Sequence, residues 1–255
     1  MNPAPSAAPI LSLKGISASF GHIRALVGVD LEVRAGEVVA LVGDNAAGKS
    51  TLIKVVAGHI QPVSGTITVD GRTVTVPSPS AAHRLGIATV FQELAVCENL
   101  DVVQNLYLGK ERRRPWSGRV RRDTVFIDDG AMEAEARELL ASLTARIPSV
   151  RTPLRELSAG QRQTVAIART LLGKPRIVLL DEPTASLSVG QTAEVLTLIE
   201  SLRRLGLAVV LVSHNMNDVR AVADRIEVLR HGHNNGTFPA SAPHEKILAA
   251  ITGVR

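Results

Sequence analysis

The sequence predicts an α/β protein with a parallel-sheet core, an antiparallel β portion at the front and a helical insertion in the middle. Three observations carry that prediction. Glu37–Val42, Ile177–Leu180 and Ala208–Val212 are apolar runs of strand length set among helical stretches, the pattern of parallel strands buried on both faces. Ile10–Phe20 and Val29–Val33 instead alternate apolar and polar residues, and Gly65–Val69 and Arg72–Val76 flank Asp70-Gly71, a hairpin signal. Between Val42 and the helix that Gly48-Lys49-Ser50-Thr51 opens lies G-x-x-x-x-G-K-S, a loop of the kind that wraps a nucleoside triphosphate.

The remaining elements follow in order. Residues 1–9, MNPAPSAAP, lack the apolar core of a signal peptide and are expected to be a disordered Pro/Ala tail before a domain over 10–255. The phosphate-loop helix runs through Ala57, Ala81–Leu85 reads as a short helix, and Ile87–Phe91 as a buried strand ending at Gln92. Asp101–Leu108 and the Ala-, Glu- and Leu-rich Asp129–Leu143 are helix-like, so 94–157 is expected to be a mostly helical insertion. Ser158 is a good N-cap for a helix reaching about Leu172, with apolar residues at Val165, Ala168, Leu171 and Leu172. Helices over 189–205 and 217–223, a strand at Arg225–Leu229 and a closing helix at His244–Ile251 complete the chain.

Composition narrows the class. With 255 residues, 45% of them hydrophobic, the chain can bury a sizeable core. No apolar run approaches the length of a membrane span, so a soluble chain is expected. Cys97 is the single cysteine, which rules out an intrachain disulfide and fits a reducing cytosol. The net charge of +5 is mild, but Lys110, Arg112, Arg113, Arg114, Arg119, Arg121 and Arg122 crowd around Trp116. A solvated connecting loop is expected there ahead of a nucleic-acid patch or a contact with anionic lipid headgroups. Aromatics make up 2% of the chain, which argues against base-stacking platforms and a nucleic-acid partner.

The candidate chemistry gathers at strand ends. In Gly43, Asp44, Asn45, Ala46, Ala47 and Gly48, small residues let backbone N–H groups converge on phosphate oxygens, and the following helix offers its free N–H groups. Lys49 supplies a point charge for the β- and γ-phosphates, and the Ser50 hydroxyl, beside Thr51, is a Mg²⁺ ligand. The strand Ile177–Leu180 delivers Asp181, a second candidate for Mg²⁺, and Glu182, placed to accept a proton from an attacking water. A helix-capping Asp-Glu pair before Pro183 is the plainer alternative. Ser213-His214 ends another such strand, making His214 a candidate γ-phosphate contact. Gln92 could reach a metal-bound water. Ser158-Ala159-Gly160-Gln161 forms a second helix start suited to an anion, although an ordinary capped helix accounts for the local sequence equally well.

GDNAAGKST, VFQE, LSAGQRQ, IVLLDEP and VSHN, in that order, resemble the ATP-binding subunit of an ABC transporter. Within that superfamily, FQELAVCENLDVVQNLYLGKE, the surroundings of DEPTASLSV, and SHNMNDVRAVADRIEVLRHG are most similar to the ATPases of bacterial monosaccharide importers of the ribose, xylose and fructose type. The resemblance implies a P-loop NTPase cassette with ATP and Mg²⁺ as its cofactors, and gives residues their roles. Phe20 stacks on adenine, Gln92 senses Mg²⁺ and couples to the permease, Glu182 is the catalytic base and His214 the switch histidine. Ser158, Ala159, Gly160 and Gln161 close over the ATP of the opposite subunit in a homodimer or paired ATPase. The insertion near 94–157 grips a membrane-spanning permease at the cytoplasmic face of the membrane, and a periplasmic or extracellular sugar-binding protein completes the importer indirectly.

The same resemblance exposes departures. The family's loop usually has Gly where this chain has Ala46, and its signature a second Gly where this chain has Ala159. If either backbone needs a positive φ, alanine there costs about 1 kcal/mol or more. Ser188 stands near the position of an Asp that crosses to the other subunit. Two other functions remain open on these grounds: a soluble ABC ATPase acting on nucleic acid or ribosomes, and a nucleotide-binding regulator that no longer hydrolyses.

Overall fold

The computed structural model describes residues 8–114 and 126–253. Most of the tail expectation, and Trp116, Arg119, Arg121 and Arg122 of the basic cluster, lie outside the described residues. The strands are β1 (Leu11–Phe20), β2 (Ile23–Val33), β3 (Val38–Val42), β4 (Ser64–Val69), β5 (Arg72–Val74), β6 (Ile87–Val90), β7 (Ile177–Asp181), β8 (Ala208–Val212), β9 (Arg225–Arg230) and β10 (His233–Pro239). The helices are α1 (Lys49–Val56), α2 (Pro79–Arg84), α3 (Val102–Tyr107), α4 (Asp129–Ser142), α5 (Ala159–Leu171), α6 (Val189–Arg204), α7 (Met216–Val222) and α8 (His244–Thr252).

Two sheets result. One is antiparallel in the order β2-β1-β4-β5; the other runs β10-β9-β3-β8-β7-β6 and is parallel except where β10 returns along β9. Successive side chains of a strand point to opposite faces, and in the second sheet both faces are covered. Val38, Ala40, Val178, Leu180, Val209 and Leu211 pack with the helical side, among them Leu106, Met132, Val165 and Leu198. Val39, Leu41, Ile177, Leu179, Val210 and Val212 pack against Leu52 and Ile53 of α1 and the inner face of the antiparallel sheet, Leu11, Leu13 and Leu31. Val38–Val42, Ile177–Leu180 and Ala208–Val212 are apolar at successive positions for this reason, so these strands read as continuous runs.

The structure departs from the sequence expectation in two strands. Alternation locates β2 from Val29, whereas pairing begins at Ile23; register shifts along β1 and β2 break the period of two over that stretch. β10 is not anticipated at all. HNNGTFP has little apolar content, yet it pairs as an edge strand along β9, and Thr237 Oγ1 donates to Glu227 Oε2 at 2.8 Å. Between Gln92 and Ser158 the described elements are α3, α4 and a 3-10 turn at Leu154–Glu156. Among the described residues no helix is long and apolar enough to cross a membrane.

Asn105 organises the turn between Gln92 and α3. It is fully buried; its Oδ1 accepts from Cys97 N at 2.8 Å, and its Nδ2 donates to the carbonyls of Cys97, Leu100 and Asp101. Truncation would leave several partly buried backbone groups without this partner at once. Asn105→Ala is therefore expected to destabilise the protein by about 2–3 kcal/mol. A urea titration showing a loss below about 0.5 kcal/mol would mean that the carbonyls find water instead.

Candidate active site

The parallel register sets the site. Leu41 and Asp181 both pair with Val212, and Val90 pairs with Leu180, so β3, β8, β7 and β6 end at one edge. Beyond that edge come Gly43, His214, Glu182 and Gln92. That register brings Ser50 and Asp181, 131 positions apart, together at the carboxyl ends of the strands, where ligands of open parallel sheets sit.

The loop after β3 wraps tightly. Gly43 adopts φ 153°, and a Cβ there would lie 2.2 Å from the Leu229 carbonyl oxygen. Gly48, the N-cap of α1, adopts φ 105°, and a Cβ there would lie 2.7 Å from the Ala25 carbonyl oxygen. Strand β2 thus leans on the loop from one side and β9 from the other. Lys49 is buried and donates from Nζ to the carbonyls of Gly43 at 2.8 Å and Asp44 at 2.9 Å. Burial lowers its pKa, opposed by the carboxylates of Glu182, Asp181 and Asp44. Gly43, Asp44, Asn45 and His214 share the wall of a cleft of about 640 Å³ with Asn215 and Met216.

Ser50 Oγ donates to Asp181 Oδ1 at 3.3 Å. Burial raises the Asp181 pKa, and the Ser50 hydrogen bond opposes that shift, while the charge of Glu182 adds to it. A hydroxyl and a carboxylate side by side are hard oxygen donors of the sort Mg²⁺ takes. Glu182 Oε2 lies 2.5 Å from His214 Nδ1, and the Glu182 N–H donates to Val212 O at 3.0 Å. Glu182 is also in the left-handed region, at φ 53°. Such conformations cost about 1–3 kcal/mol and persist only where surrounding structure imposes them.

Sequence reading missed one contact here. Thr184 Oγ1 donates to the buried Asp218 Oδ2 at 2.7 Å, joining the segment after Glu182 to the helix after His214. The signal available was Asp218 in the first turn of a helix, which by itself indicates only dipole stabilisation.

Phe20 and Gln92 are exposed, Phe20 beside the turn into β2 and Gln92 beyond the end of β6. The second helix start stands apart from the phosphate loop. Ser158 caps α5 in a reciprocal box: its Oγ accepts from Gln161 N at 3.2 Å, and Gln161 Oε1 accepts from Ser158 N at 3.0 Å. A Cβ on Gly160 would lie 2.9 Å from Gln191 Cβ, so this end packs on the start of α6. Ser158 and Gln161 line a separate cleft with Arg146, Ser188 and Gln191, and none of the phosphate-loop residues lines it.

An ABC transporter family model matches residues 26–185. The chain belongs to the ABC transporter family. It is 41% identical over 223 residues to a xylose/arabinose import ATP-binding protein of Sulfolobus acidocaldarius, covering 88% of this chain and 85% of that protein. It is 41% identical over 249 residues to a fructose import ATP-binding protein of Rhizobium meliloti, covering 97% and 95%. A ribose import ATP-binding protein of Rubrobacter xylanophilus is 44% identical over 241 residues, which is 94% of this chain but 45% of that protein. Among solved structures, the ADP conformation of an ABC transporter cassette superposes with TM-score 0.81 at 24% identity, covering 97% and 96%. A dimeric cassette bound to ADP and Pi superposes with TM-score 0.71 at 25% identity, covering 91% and 100%.

Two of the departures from the ABC transporter pattern now separate. Ala46 has φ 62°, so the loop holds an alanine in the left-handed region. Ala159 is the first residue of α5 and is not in that region, so alanine carries no such cost there. Ala46→Gly is expected to stabilise the protein by about 1 kcal/mol, offset in part by the looser unfolded chain. Thermal denaturation should show Tm rising by roughly 2–4 °C; an unchanged or lower Tm would show that the loop relaxes around the alanine.

Proposed function

We propose that this chain is the ATP-binding and ATP-hydrolysing subunit of an ABC importer for a monosaccharide, acting on a membrane-spanning permease at the cytoplasmic face of the membrane. The observation that carries the reading is the convergence of a buried Lys49, the Ser50–Asp181 pair and the Glu182–His214 pair at one sheet edge. The names of the three relatives given above, import ATP-binding proteins for xylose/arabinose, fructose and ribose, support the substrate class.

Each residue then has a task. Phe20 stacks on adenine. Backbone N–H groups of 43–51 and the Lys49 ammonium hold the triphosphate; Lys49, now engaged with two carbonyls, would exchange them for phosphate oxygens. Ser50, Asp181 and Gln92 would hold Mg²⁺, which neutralises charge developing on the phosphoryl oxygens. Among the described residues no group of three or more His, Cys, Asp or Glu could hold a metal. That suits Mg²⁺, which binds through one or two carboxylates together with substrate phosphates. Glu182 would accept the proton of the attacking water, and His214, within hydrogen-bond distance of Glu182, would contact the γ-phosphate. Catalysis is positioning and charge neutralisation.

The cleft of Ser158 and Gln161 does not face this chain's own phosphate loop. It would close over the nucleotide of a second subunit, Ser158–Gln161 of each completing the other's site. The segment about 94–157, which carries α3 and α4, would form the subdomain that grips the permease, beside a groove of about 330 Å³ whose lining includes Ala57, Ala82, Ile87, Leu94 and Ala95. A periplasmic or extracellular sugar-binding protein would deliver the substrate.

Phosphate release from Mg·ATP by the purified chain, abolished in Lys49→Ala, tests the hydrolase; its absence would favour a non-hydrolysing regulator. Co-purification with a polytopic membrane protein and a sugar-binding protein tests the importer. Salt-sensitive binding to RNA or DNA would instead favour an ATPase acting on nucleic acid.

A further inference from the structure

The loop that leaves β6 at Gln92 is tied to the segment that begins at Ser158 in two places. Just before the start of α5, Leu154 and Arg155 donate their N–H groups to the carbonyls of Leu100 at 3.0 Å and Glu98 at 2.9 Å. Near the far end of α5, Arg169 donates from one terminal nitrogen to the Ala95 carbonyl at 2.8 Å and from the other to the Leu108 carbonyl at 3.3 Å. Glu93, Leu94 and Ala95 belong to the wall of the groove described above. Leu108 is the C-cap of α3. One side chain therefore joins α5, the groove wall and the end of α3.

The chemistry suits a guanidinium. Its planar fork can serve two carbonyls at once, and a cation is favoured at the carbonyl end of a helix. An ammonium on a flexible stem would satisfy one carbonyl and leave the other to water. The tie is also local. Among the described residues, the hydrogen bond that reaches 93–96 comes from Arg169, whereas Cys97 is held by Asn105 and 98–100 by backbone bonds to 154–155.

We propose that Arg169 is a positioning residue that carries movement of the Ser158 end of α5 to the groove wall at Glu93–Ala95. The proposal rests on the reading that Ser158–Gln161 engages the nucleotide of a second subunit. Helix α5 spans 13 residues with Val165, Ile167 and Ala168 buried, so it moves as a rod of about 20 Å. A first turn drawn toward a partner's nucleotide displaces Arg169 with it. Ala95 then follows, because its carbonyl is held to that side chain.

Hydrogen exchange of the full chain tests this, with the Glu182→Gln variant used to hold Mg·ATP. In that parent, ATP is expected to slow exchange over 158–164, 98–101 and 93–97 by about threefold or more. Adding Arg169→Ala should reduce the ATP-dependent change at 93–97 to less than about 1.5-fold while 158–164 and 98–101 keep theirs. Arg169→Lys, with one carbonyl served, should fall between. A residue that merely supports the fold would speed exchange at 93–97 equally with and without ATP, leaving the ratio intact. An intact ratio overturns the proposal, and so does loss of the response at all three segments. If the parent shows no response at 158–164, the pairing reading fails and this proposal with it.

Discussion

Glu182→Gln is expected to lower ATP turnover by about 10²–10³-fold while nucleotide affinity stays within about twofold, since a general base contributes on that scale. The carboxylate is lost but the volume and one carbonyl oxygen remain, so the Glu182–His214 contact at 2.5 Å has an isosteric substitute. Binding rests elsewhere, on the backbone of 43–51 and on Lys49. The positive φ of 53° at Glu182 and the hydrogen bond from its N–H to Val212 O belong to the backbone and are indifferent to the side chain. A single-turnover phosphate assay beside a nucleotide titration separates the two quantities. Hydrolysis at the parental rate with normal binding would take the base role away from Glu182.

Gly43→Ala should be the most damaging small change to the fold, costing about 4 kcal/mol or more from strained backbone and overpacking together. Its Cβ would meet the Leu229 carbonyl oxygen at 2.2 Å and the Ala47 Cβ at 3.1 Å. The first is backbone of β9, paired with β3, and cannot swing aside as a flexible side chain would. The residue also stands at φ 153°, which side chains rarely adopt. Relief would come from moving the loop, which carries the Gly43 and Asp44 carbonyls away from Lys49 Nζ. The protein should therefore show a large drop in Tm together with no thermal stabilisation by ATP. A variant that folds with normal Tm and still binds ATP would show that the loop has another conformation available.

Much of the fold is legible in the sequence because it depends on neighbours in the chain. The runs Ile177–Leu180 and Ala208–Val212 are apolar because both faces of the sheet are covered, and Asp70-Gly71 turns the β4–β5 hairpin with φ of 48° and 71° at its two residues. Ser158 with Gln161, and Asp101 with Gln104, are caps closed within four residues. β10 escapes this reading because its pairing with β9 is a backbone matter and its side chains carry no period. Of the candidate site, residue types and strand ends could be read, but not which side chains touch. Glu182 and His214 are 32 positions apart, Ser50 and Asp181 131 apart, and only the parallel register brings them level.

What the sequence determined by itself is therefore the set of local devices: a phosphate loop between strand and helix, carboxylates and a histidine at strand ends, capped helices and strands buried on both sides. Tertiary structure decided the sign of φ at Ala46 and Ala159, the approach of the Leu229 and Ala25 carbonyls that makes Gly43 and Gly48 necessary, and the reach of Arg169 to Ala95. The reason is physical. Propensity and capping energies are set within a few residues of chain, whereas close contacts and the strain they sustain are set by elements that meet only after the sheet has assembled.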